Sequence, residues 1–130
     1  MGATAGFTAF FALTLVLLGL VVATGLRAKR RWHVTFVAAA VASLGVTIVF
    51  AVALGKHYDL EAAGPITPIH LTIAKLAAAS YVLPIVTGLR TIFVPSTRRL
   101  HRKVAFLALA LTVAAAITGT WMMCLAPRVS

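Results

Sequence analysis

Long apolar stretches alternate with short polar connections along the whole chain. Four stand out, at about Phe7 to Leu26, Val34 to Leu54, Ile69 to Ile92 and Val104 to Leu125. A helix rises 1.5 Å per residue, so each is long enough to cross a hydrocarbon core of about 30 Å. Helix is also the one open-chain solution in lipid, because unpaired backbone groups there cost several kcal/mol each. The connections are short, so neighbouring helices are expected to run antiparallel. The pattern predicts an all-α fold: an integral membrane four-helix up-down-up-down bundle, one transmembrane domain over residues 1–130. Beyond the alternation of span and loop, no internal repeat is read. Gly2-x-x-x-Gly6 and the Ala, Gly, Thr and Ser in every span permit close backbone approach, within the bundle or in a homo-oligomer.

Composition agrees with this reading. Of 130 residues 62% are apolar and 11% charged, far from the balance of a soluble domain. The net charge of +10 would ordinarily raise nucleic acid as a partner. Here the cations sit in short loops between apolar runs, so the bilayer is the expected partner and nucleic acid is not.

Charge placement then orients the chain. The first loop carries Arg27, Lys29, Arg30 and Arg31, and the third carries Arg90, Arg98, Arg99, Arg102 and Lys103 at or near its ends. The middle loop has Lys56 but also Asp59 and Glu61, the only acids. By the positive-inside rule, loops one and three are cytoplasmic and both termini lie outside, in a multi-pass protein of the cell membrane. The first span has no Lys or Arg before it and a basic cluster after it, the reverse of a secretory signal. Trp32 and Trp121 fit interfacial anchors.

Four histidines carry the candidate chemistry. His33 opens the second span and His101 the fourth, both from the cytoplasmic side and thus at one depth, whereas His57 follows the second span and His70 opens the third on the outer side. Two imidazoles at one level on facing helices suit a b-type haem. His33 and His101 are the expected axial ligands, with Arg30, Arg31, Arg99 and Arg102, beside Arg27 and Arg98, as propionate partners. The plainer alternative is that both are interfacial residues within two basic clusters. His70, introduced by Pro65 and Pro68, and His57 are candidates for a second, outer haem. His33 and His57 lie 24 residues apart; that is roughly 36 Å along a helix and about 120° around it, which puts His57 in the loop. Lone Cys124 excludes an intramolecular disulfide, and without Cys-x-x-Cys-His no c-type haem is attached.

Copper is an alternative cofactor at the outer face, where His57 and His70 share a surface with Met122, Met123 and Cys124, since imidazole, thioether and thiolate suit it. Against it, Met-Met-Cys at a helix end is usually packing. Lys75 lies five residues into the third span, where an ionisable group is a functional candidate, but it is also close enough to the outer interface to snorkel. No nucleophile with an adjacent base is found, so any enzymatic part is that of an electron-transfer component.

The last span reads His101-Arg102-Lys103-Val104-Ala105 and closes on Thr118-Gly119. It resembles the final helix of a family of small four-helix bacterial membrane proteins linked to maturation of haem-copper terminal oxidases. The basic residues around His33, with His57 after the span, and the Ile-Thr-Pro-Ile-His approach to His70 are similar in outline. The third span departs from that family in the place of Pro84, and the fourth lacks its central proline. Histidines at both faces also resemble the plan of transmembrane b cytochromes. What the resemblance implies is either electron transfer by a cytochrome or support of a respiratory oxidase, or else a non-catalytic assembly subunit that handles copper.

The charge asymmetry carries a direct test. A cysteine placed between Asp59 and Gly64 should react with an impermeant thiol reagent in intact cells, and one beside Arg98 should not; the opposite labelling inverts the topology.

Overall fold

A computed structural model describes residues 2–129. The described chain is all-helical: α1 (Ala3–Leu26), α2 (Arg30–Gly55), α3 (Ile66–Ser80), α4 (Val82–Phe93), a 3-10 turn (Pro95–Thr97) and α5 (Arg98–Leu125). Four stretches are long and apolar enough to span a membrane, namely α1, α2, α3 with α4, and the 3-10 turn with α5. Helices α2 and α5 begin earlier than the apolar pattern indicated. Their basic first turns, Arg30-Arg31 and Arg98-Arg99, are good helix formers and extend each helix beyond its apolar stretch. His33 and His101 therefore lie inside a first turn rather than at an opening.

Pro84 divides the third span. Its ring supplies no N–H to the carbonyl four residues back and crowds it. That residue is Ser80, where α3 stops, and the chain continues through Tyr81 into α4.

The helices fall into two compact units, residues 1–58 with 129–130, and residues 59–128. In the first, α1 packs along α2. The turn joining them is tight. Lys29 N–H donates to the Thr24 carbonyl and Ala28 N–H to that of Gly25, closing α1 with a Schellman motif. The motif needs a left-handed residue where glycine is usual; Ala28 fills it, at φ 53°. Further along, Thr14, Ser43 and Thr47 are buried between the helices, with Thr14 Oγ1 2.8 Å from Ser43 Oγ and 3.1 Å from Thr47 Oγ1. Beyond that cluster the Phe50 ring fills the place where a side chain at Gly6 would stand.

In the second unit α5 packs against both α3 and α4. Tyr81, at the break, reaches across to Thr112 Oγ1 at 2.8 Å. The Thr112 hydroxyl already donates to the Ala108 carbonyl, so the phenol is the donor. In both units most buried positions are hydroxyl-bearing residues and alanines while most leucines, valines and isoleucines face outward; Thr14 is 2% exposed and Val49 68%. A soluble protein shows the reverse order. Such surfaces are compatible with lipid contact, where association rests on close packing and polar contacts.

An L-residue in the left-handed region is strained by roughly 1–2 kcal/mol, part of which glycine's larger unfolded-state entropy offsets. Ala28→Gly should therefore stabilise the α1–α2 hairpin by about 0.5–1 kcal/mol, read by reversible unfolding in mixed micelles.

Candidate imidazole sites

Each unit places a histidine on the first turn of the helix after its basic turn, against the end of the helix before it. In the first unit, the Schellman turn brings α2 back so that His33, half-buried, faces the last turns of α1. His33 Nδ1 lies 3.0 Å from the Val21 carbonyl, and its ring rests on Gly25, where an added Cβ would stand 3.1 Å from Cε1. In the second unit, His101 Nδ1 lies 3.2 Å from Thr87 Oγ1, and a Cβ at Gly88 would stand 3.1 Å from its Cε1. Arg30 and Arg31 are within a turn of His33, as Arg98, Arg99 and Arg102 are of His101, and all five are exposed.

His70 repeats the arrangement at the other end of the second unit. The Gly64 turn, at φ 74°, with Pro65 starts α3, and His70 follows one turn later. Its Nδ1 lies 3.1 Å from Thr118 Oγ1, and a Cβ at Gly119 would stand 2.7 Å from its Cε1. Three half-buried imidazoles thus sit on three glycines, each preceded by threonine: Thr24-Gly25, Thr87-Gly88 and Thr118-Gly119.

Of these pairs only Thr118-Gly119, at the close of the last span, was singled out from sequence, although a signal for the other two is present. Thr24-Gly25-Leu26-Arg27 followed by Arg30-Arg31-Trp32-His33 matches Thr87-Gly88-Leu89-Arg90 followed by Arg98-Arg99-Leu100-His101. An internal repeat is therefore present, contrary to the reading by hydropathy alone. It escapes a fixed-period search because Gly25 and His33 are 8 residues apart and Gly88 and His101 are 13, the second turn carrying the inserted 3-10 segment.

The other candidates are dispersed. His57 is exposed in the segment after α2, as expected from its distance along the chain. Met122 is buried, Met123 half-buried and Cys124 exposed, so these three neighbours point in different directions on α5. Among the described residues no group of three or more His, Cys, Asp or Glu side chains is placed to hold a metal ion. Lys75 is exposed on α3.

A methyl group is enough to test the seats. Gly119→Ala should displace His70 and destabilise the protein by about 1–3 kcal/mol. Gly19→Ala, whose Cβ would meet nothing within 4 Å, should be neutral or stabilising under the same unfolding assay.

No protein-family model, curated protein or solved structure matches the chain.

Proposed function

We propose that this is a membrane-embedded b-type haem protein that transfers electrons or supports a respiratory oxidase, with His33 and His101 as axial ligands. The observation that supports it is the repeated seat. Each unit holds one imidazole by Nδ1 on the neighbouring helix, beside a cluster of exposed arginines. Histidines that ligate iron are typically oriented in this way, with one ring nitrogen bonded to the protein and the other directed to the metal. The chain's residues fit haem b by their donor chemistry: neutral imidazole suits iron, and guanidinium groups such as Arg30, Arg31, Arg99 and Arg102 pair with carboxylates in bidentate fashion. When bound, the haem would supply a one-electron couple. The protein's part is to hold the rings, neutralise the propionates and surround the group with apolar side chains, which tunes the potential.

The orientation in the membrane belongs to the same reading. The turns bearing the arginines face the cytoplasm of a bacterial cell, and both termini face outward, because cations near span ends are retained on the inner side.

The purified protein should show a sharp α band on dithionite reduction; a colourless protein defeats the proposal. His33→Ala and His101→Ala should each lower haem per protein, since the residues that flank them, Trp32 and Val34 at the one and Leu100 and Arg102 at the other, offer no axial donor. His57→Ala should leave the spectrum unchanged. Full haem content in both His33→Ala and His101→Ala would remove these ligands.

A further inference from the structure

Counting hydrogens at the three seats determines more than ring orientation. A neutral imidazole carries one N–H, on Nδ1 or on Nε2, and the bond made by Nδ1 decides between them. At His33 the partner is the Val21 carbonyl, which can only accept, so Nδ1 is protonated. At His101 the partner is a hydroxyl with a single hydrogen, and that hydrogen is committed. Thr87 Oγ1 lies 2.7 Å from the Leu83 carbonyl of its own helix, shorter than its 3.2 Å approach to the ring. The hydroxyl therefore donates along α4 and accepts from His101.

At His70 the same arithmetic holds. Thr118 Oγ1 lies 2.8 Å from the Ala114 carbonyl and 3.1 Å from the ring, so its hydrogen too is committed to its own helix. Three acceptors of two chemical kinds thus impose one protonation pattern. Each glycine completes the device, because a side chain at Gly119 would displace the His70 ring and one at Gly25 or Gly88 would crowd the ring beside it.

We infer that Thr87 and Thr118 are positioning residues that hold His101 and His70 as Nδ1–H tautomers, as the Val21 carbonyl holds His33, and that Nε2 is the lone-pair nitrogen of all three. The class of ligand such a nitrogen takes is a borderline metal centre such as haem iron. That use rests on the haem reading above, whereas the tautomers do not depend on it. His70 is accordingly a third oriented imidazole, with a threonine and a glycine of its own. The first unit has no counterpart to it: among its described residues, the close glycine seat at the end away from the basic turn, Gly6, is filled by Phe50.

The test is ¹⁵N spectroscopy of histidine-labelled, full-length protein in lipid nanodiscs without added metal, at a pH where the rings are neutral, with signals assigned from single His→Gln variants. His33, His70 and His101 should each show the proton on Nδ1, and exposed His57 should show a solution-like mixture. Thr87→Val keeps the shape and removes the acceptor. It should shift the His101 tautomer ratio toward Nε2–H by roughly five-fold, the equivalent of one lost hydrogen bond. Thr87→Ser should restore the ratio, and His33 and His70 should not change, which shows that the fold is intact. Thr118→Val should do the same at His70. Nε2–H at His101 or His70 in the unmodified protein, or an unchanged ratio in Thr87→Val, overturns the assignment. Protein that carries no haem but shows the expected tautomers upholds this inference and defeats the haem reading alone.

Discussion

Close approach of two helices at a glycine is the contact on which the rest of this structure depends. A missing side chain at Gly25, Gly88 and Gly119 admits an imidazole ring, and at Gly6 a phenyl ring, between backbones that would otherwise stand farther apart. Lipid tails are as apolar as leucine, so burying apolar surface does little to hold helices together in a bilayer. What holds them is contact distance and the polar bonds that short distance permits. The histidine bonds to Val21, Thr87 and Thr118 exist because the glycines lie beside them.

The same economy explains the hydroxyls. Thr14, Ser43 and Thr47 join α1 to α2, and Tyr81 joins the α3–α4 break to Thr112 on α5. Thr112 also donates to the Ala108 carbonyl of its own helix, so its hydroxyl serves Tyr81 as an acceptor, whereas Thr14 and Thr47 divide their hydrogens between own-helix carbonyls and one another. Among the described residues no buried side-chain polar atom lacks a partner. In hydrocarbon an unpartnered group costs several kcal/mol, so a satisfied network also defines which faces of the helices can pair.

Function, on the proposed reading, uses the rigidity that results. An imidazole fixed by Nδ1 against a backbone groove loses rotamer freedom before any ligand arrives, and a metal centre then meets a donor already oriented. The basic turns serve two ends at once: they retain the span ends on one side of the membrane and offer guanidinium groups near His33 and His101.

The four spans and the charge asymmetry of the loops were legible in the chain itself, because hydrocarbon thickness and backbone satisfaction act on local composition. The four histidines stood out for the same reason, as rare polar rings at span ends. Sequence also held the repeated Thr-Gly-Leu-Arg and Arg-Arg-x-His segments, which went unnoticed because unequal turns separate them. Only tertiary structure decided which glycine seats which ring, that Pro84 stops α3 at Ser80, and that Ala28 takes a left-handed turn so that His33 meets Val21. The physical reason is one of range. A span is specified by its own residues against the bilayer, whereas a ring's partner depends on the register of two helices, and a shift of one residue would turn the glycine away.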